Sequence, residues 1–137
     1  MSAASPPIQA VVALAWAVIG PPLVVFAATR VRRGKIPLHV TLMIVSVVIE
    51  LAVVIGFSFF MDPSPRRPAL KALPLFKIHL AFALATLVGI AWQLTSRAVP
   101  RLRPLHAHTG PSVVLVWCLA LLTGIYNYVF LYVWRLP

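Results

Sequence analysis

Residues 38–61 read LHVTLMIVSVVIELAVVIGFSFFM, 24 residues in which Glu50 is the one Asp, Glu, Lys or Arg. As a helix this stretch is about 36 Å long at 1.5 Å per residue. The hydrocarbon core of a bilayer is about 30 Å thick. A run of this length and composition reads as a membrane span, with Pro37 placed in its first turn, where a missing N–H costs nothing. Three similar runs flank it. The pattern predicts helices over about 8–29, 37–61, 74–96 and 110–134. The expected fold is an all-α integral membrane protein, an antiparallel four-transmembrane-helix bundle forming a single domain over 1–137.

Composition supports this. The chain is 61% hydrophobic and 10% charged, against about 25% charged in soluble domains. Such a sequence has too little polar surface to cover its apolar mass in water and is too apolar for disorder. The formal net charge of +10 comes from 12 Lys and Arg against two acids, Glu50 and Asp62. The basic residues lie between apolar runs and form no basic helix face. They read as topology signals and headgroup contacts to a lipid bilayer, with no nucleic acid as partner.

The loops after the first and third runs carry seven cations and the opposite side carries five. The positive-inside rule places the first set in the cytoplasm and both termini outside. The expected location is the bacterial inner (cytoplasmic) membrane. Met1–Gln9 carries no Lys or Arg, so the first run is expected to stay as an anchor and not to act as a signal. Gly20-Pro21-Pro22 interrupts it, and a kink is expected there. Tyr132 and Trp134 read as an interfacial aromatic pair.

Polar residues at bilayer depth tend to face protein. Sorted by helical period, His39, Met43, Ser46, Glu50, Phe57 and Met61 form one stripe of the second run. His79, Phe82, Thr86, Gly89, Gln93 and Ser96 form one on the third. On the fourth, Ser112, Leu119, Thr123 and Asn127 share a face, and Gly110, Val113, Trp117, Ala120, Gly124 and Tyr128 another, with small residues that allow close approach. Ser46, Thr86 and Thr123 are expected to bond helix to helix. Glu50 lies about 16 Å from His39 along a helix, so its carboxyl group needs a partner. Glu50 and Asn127 are candidates for a proton or polar network.

The histidines are the main functional candidates. Imidazole suits copper, zinc and haem iron, and thioether sulfur suits Cu(I) or haem. Two clusters are expected: His39, His106 and His108 on one side, and His79 with Met61 on the other. No run has two histidines at opposite membrane depths, so two stacked haems are not expected. A single haem b or one copper ion is allowed. Cys118, the sole cysteine, reads as a small buried hydrophobe. There is no Gly-x-Ser-x-Gly, Walker or dinucleotide motif, so no catalytic residue is assigned.

Several of these features occur together in a known family. Arg32-Arg33-Gly34-Lys35-Ile36 is followed by His39-Val40-Thr41-Leu42-Met43. Ile78-His79-Leu80 opens the third run. His106 precedes Gly110 by four residues, and Trp117 and Thr123-Gly124 follow. In this the chain resembles the DUF420 family of small bacterial membrane proteins. It departs from the family at Phe57 and Met61, where a tyrosine and then a histidine are usual, and at Val40-Thr41 and Ala107-His108, where basic residues are usual. One branch of the family is associated with maturation of a haem–copper terminal oxidase. The resemblance therefore implies an accessory protein of respiratory-oxidase biogenesis that binds haem or copper through His39, His79 and His106, with oxidase subunits or other membrane proteins as partners. Two alternatives stand beside it: a small b-type cytochrome ligating haem through His39 and His106, and a cofactor-free structural subunit of a larger membrane complex.

Overall fold

The structure is a computed structural model and describes residues 6–60 and 71–134. Within these it is helical throughout: α1 (Ile8–Arg32), α2 (Ile36–Phe60), α3 (Phe76–Ala98), a 3-10 turn at Pro100–Leu102, and α4 (Arg103–Tyr128), which continues into a π-helical turn at Val129–Val133. All four helices are long and apolar enough to cross a membrane.

Local sequence explains the boundaries. α1 ends in a Schellman motif. Gly34 adopts φ +70°, which a residue without Cβ adopts freely. Its N–H donates to Val31 O at 3.0 Å, and Lys35 N–H donates to Arg30 O at 3.0 Å. These bonds satisfy carbonyls that the end of α1 leaves open, so α1 stops and α2 starts within four residues. Pro21 and Pro22 lie inside α1, which continues through them as one helix.

The start of α4 differs from the sequence expectation. The helix begins at Arg103, not near Gly110, with a proline in its first turn and Pro111 in its interior. Pro104 presets φ for the first turn. Pro111 removes one amide donor but does not end the helix, as prolines in apolar helices commonly do not. His106 and His108 therefore sit on α4 itself. The aromatic residues at its far end form an i, i+4 ladder: Tyr126 on Phe130 (centroids 4.3 Å apart), Tyr128 on Tyr132 (4.9 Å) and Phe130 on Trp134 (4.6 Å).

Close packing joins α1 to α2, α1 to α4, and α3 to α4, so the helices follow the order α2, α1, α4, α3. Glycines set two of these approaches. A Cβ on Gly20 would stand 2.8 Å from Leu121 Cδ1, and one on Gly89 would stand 2.9 Å from Val113 Cγ1. The apolar centre is Trp16, Ala17 and Val24 of α1, Ile90 of α3, and Trp117 and Leu121 of α4. The outer faces carry Val18, Ile19, Val48, Leu84, Val88 and Leu115, all more than half exposed. The buried polar residues are Ser46, Glu50, Thr86, Ser96 and Asn127. Each belongs to one of the stripes read from helical period. The molecule thus places polar groups inside and large apolar groups outside, the arrangement a lipid solvent favours.

Candidate functional site

The centre of the molecule is a carboxyl group held by two indoles. Glu50, on α2, is 7% exposed. Its Oε2 accepts from Trp16 Nε1 of α1 at 2.6 Å and from Trp117 Nε1 of α4 at 2.8 Å. A buried indole N–H needs an acceptor, and a buried carboxyl oxygen needs donors. Each group therefore meets the other's requirement, and three helices are tied at one point. Sequence reading anticipated that Glu50 has a partner and placed Trp117 on a face of the fourth run whose small residues allow close approach. It missed Trp16. The available signal was chemical: a tryptophan inside an apolar run must find an acceptor, and Glu50 is the one acid within the runs.

His79 enters from α3. Its Nδ1 lies 3.0 Å from Ala120 O and 3.1 Å from Thr123 Oγ1, both on α4. Thr123 Oγ1 itself donates to Leu119 O or Ala120 O, so the contact needs the hydrogen on His79 Nδ1. The ring lies against Gly124, where an added Cβ would stand 3.3 Å from Cε1.

His39 Nδ1 lies 2.9 Å from Ala27 O of α1, and His106 Nδ1 lies 3.0 Å from Gln93 O of α3. All three histidines thus meet a main-chain carbonyl of a neighbouring helix through Nδ1. With Nδ1 as donor, Nε2 keeps its lone pair and is the nitrogen that can ligate. At His106 the side chain of Gln93 competes for this role. In one orientation its amide nitrogen lies 2.8 Å from Thr109 Oγ1 and its oxygen faces His106. Turned over, the amide donates to His106 Nδ1 at 2.8 Å and to His106 O at 3.2 Å, and accepts from Thr109 Oγ1 at 2.8 Å and Gly110 N at 3.2 Å. The second arrangement moves the imidazole hydrogen to Nε2. Trp92 Nε1 donates to Thr109 Oγ1 at 3.0 Å in the same group.

The expected cluster of His39, His106 and His108 is not assembled as such. Among the described residues, no three His, Cys, Asp or Glu side chains come together to hold a metal ion. His39, His106 and His108 therefore do not form one three-ligand group. The physical reason is that His39 and His106 are each turned toward the backbone of a neighbouring helix, while His108 is exposed. Met61 lies outside the described residues. Asn127 is buried on α4, and its Oδ1 has no hydrogen-bond partner among the described residues. Ser46 bonds within its own helix, to Leu42 O at 2.8 Å, and Thr86 Oγ1 has no partner among the described residues. Of the three hydroxyls expected to join helices, Thr123 does so, through His79. Cys118 is half-buried. An apolar groove between α1 and α2, lined by residues that include Val12, Val48, Ala52 and Val53, contains none of the candidate residues.

Comparison with protein-family models, with curated proteins and with solved structures finds no match to this chain.

Proposed function

We propose that this chain is an accessory protein of the bacterial inner membrane that holds a haem through His39 and His106 and assists the biogenesis of a respiratory haem–copper oxidase. The carrying observation is the Nδ1-to-carbonyl contact at His39, and the same contact at His106 when the Gln93 amide does not donate to its Nδ1, which leaves Nε2 as a ligand nitrogen. The residues fit a haem better than a closed metal cage. A haem iron needs one or two axial nitrogens, whereas a cage needs a group of ligands that the described residues do not form. A bound haem would supply redox or carrier chemistry. His79, engaged on α4, takes no part in this reading.

The topology belongs to the same proposal. Gln9 meets Phe60, Trp16 meets Glu50, and Ala27 meets His39. Positions thus descend along α2 as they rise along α1. Gly89 meets Val113 and His79 meets Ala120, so α3 and α4 behave alike. These pairings support an antiparallel bundle spanning the bilayer. The bias of basic residues supports termini on the outer side. The oxidase setting rests on the DUF420 resemblance.

The test is an absorption spectrum and metal analysis of the protein purified in detergent. The expected result is a Soret band that His39→Ala or His106→Ala abolishes and His79→Ala retains. Reversible reduction of a tightly held haem would assign electron transfer, as in a small b-type cytochrome. A colourless protein with bound copper would replace haem by copper. A protein with neither, which co-purifies with a complex and tolerates all three substitutions, would be a structural subunit. That second reading is favoured by the Trp16–Glu50–Trp117 clasp, which joins three helices with no cofactor.

A further inference from the structure

Arg30 stands apart from the other cations of the two short turns. Arg32, Arg33, Lys35, Arg97, Arg101 and Arg103 are exposed, whereas Arg30 is half-buried. Its Cζ lies 4.0 Å from the centroid of the Phe26 ring, one turn back along α1. A long basic side chain at the end of a membrane helix ordinarily extends outward to the polar boundary. Arg30 instead lies back toward the middle of the span, on a ring that is itself 46% exposed on the outer face of α1.

The guanidinium is short of acceptors there. Nη2 meets Thr29 Oγ1 at 3.5 Å, the long limit of a hydrogen bond. Nε is enclosed and has no partner among the described residues. The one acid among the described residues is Glu50, and its carboxyl group is held by Trp16 and Trp117. No carboxylate among the described residues therefore neutralises Arg30. The turn adds further charge beside it. The amides of Arg33 and Lys35 both donate to Arg30 O, at 3.1 and 3.0 Å, which holds those two residues over the end of α1. Arg30, Arg32, Arg33 and Lys35 thus set four positive charges against about half a negative charge from the carboxyl end of the helix. The balance favours an anion.

Place and geometry select the kind of anion. A guanidinium stacked by its face on a ring keeps its in-plane N–H groups, whose fork matches phosphate oxygens. Below Arg30 the same face of α1 carries Phe26 and, seven residues earlier, Ile19, which is 58% exposed. A charged head above and an apolar stripe beneath fit a phosphodiester joined to hydrocarbon. We propose that the α1–α2 turn binds an anionic phospholipid, whose phosphate pairs with Arg30 and the flanking Arg33 and Lys35, and whose acyl chain lies along Phe26 and Ile19. This goes beyond the general attraction of cations to a membrane surface, because one guanidinium fixed on an aromatic ring chooses the headgroup. The inference rests on the membrane-spanning reading of α1 and does not depend on a haem.

The test is native mass spectrometry of the full chain in detergent, titrated with phosphatidylglycerol and, separately, with phosphatidylcholine of identical acyl chains. Wild type is expected to bind the first phosphatidylglycerol at least about tenfold more tightly than phosphatidylcholine. Arg30→Gln is expected to abolish that preference. Phe26→Leu keeps the outer face apolar but removes the ring beneath the guanidinium, and is expected to weaken phosphatidylglycerol while leaving phosphatidylcholine unchanged. Arg101→Gln, at an exposed cation of the other turn, is expected to retain the preference. Equal binding of the two lipids by wild type overturns the proposal, as does a preference kept in both Arg30→Gln and Phe26→Leu. A preference lost equally in Arg101→Gln also overturns it, because that is the behaviour of a diffuse basic surface. A Soret band lost in Arg30→Gln, with no lipid preference in wild type, would give the guanidinium to a haem propionate instead; the haem reading would then stand while this one fell.

Discussion

Trp16 Nε1 and Glu50 Oε2 lie 2.6 Å apart, although 34 residues separate them in the chain. Trp117 reaches the same oxygen. The consequence is a cost structure that depends on which member is removed. Glu50→Leu leaves two buried indole N–H groups without acceptors, at about 1–3 kcal/mol each. Glu50→Gln keeps an acceptor oxygen and is expected to cost less. Trp16→Phe leaves Glu50 one donor short. Thermal unfolding in detergent, followed by helicity, is expected to rank the variants Glu50→Leu below Trp16→Phe and Trp117→Phe, with Glu50→Gln nearest wild type. Equal melting of Glu50→Leu and Glu50→Gln would remove the clasp from the energetics.

The two close glycine contacts are expected to differ. In Gly20→Ala the new Cβ meets Leu121 Cδ1, the far end of a flexible side chain. In Gly89→Ala it meets Val113 Cγ1 at 2.9 Å, and a β-branched side chain is stiff at χ1. Overpacking of this kind costs about 1–3 kcal/mol. Gly89→Ala should take the larger share, read as the larger drop in melting temperature.

Gly124→Ala acts on His79. Its Cβ would stand 3.3 Å from Cε1 of the ring, so the ring must move by a few tenths of an ångström or the helices must part. The contact from Nδ1 to Ala120 O, now 3.0 Å, is expected to lengthen. The His79 Nδ1 proton resonance reports this directly, and an unchanged chemical shift would place the ring in looser surroundings than described here.

Gln93 sets the tautomer of His106. Gln93→Leu removes the amide that can donate to Nδ1 and leaves the main-chain carbonyl of residue 93, which accepts from it. The expected outcome is a His106 held entirely in the Nδ1–H form, visible in nitrogen chemical shifts, with haem uptake at least equal to wild type. Conversion to the Nε2–H form on this substitution would contradict the arrangement.

Gly34→Ala tests the end of α1. The position has φ +70°, where an L side chain costs about 1–2 kcal/mol. Faster amide exchange at residues 34 and 35 is expected, with the centre of α1 unaffected.

Much of the fold was readable from residue order. The four apolar runs gave the helices, and the stripes gave the buried polar residues, because burial in such a molecule follows helical period. Two things were not readable. Pro111 beside Gly110 suggested a helix start, yet Pro104 already supplied one and the later proline was accommodated. The partner of Glu50 depended on how α1 stands against α2 and α4, and no local pattern carries that register. The histidines were identified as inward or boundary residues. That His39, His79 and His106 would each choose a backbone carbonyl in place of one another depended on the same register.

Pro21 and Pro22 place two consecutive residues without an amide hydrogen in the middle of α1. The carbonyls of Ala17 and Val18 therefore have no donor four residues ahead. This gap in the main-chain ladder falls between Trp16, which grips Glu50, and Ala27, which meets His39, so the two attachments of α2 stand on either side of the most weakly bonded turn of α1.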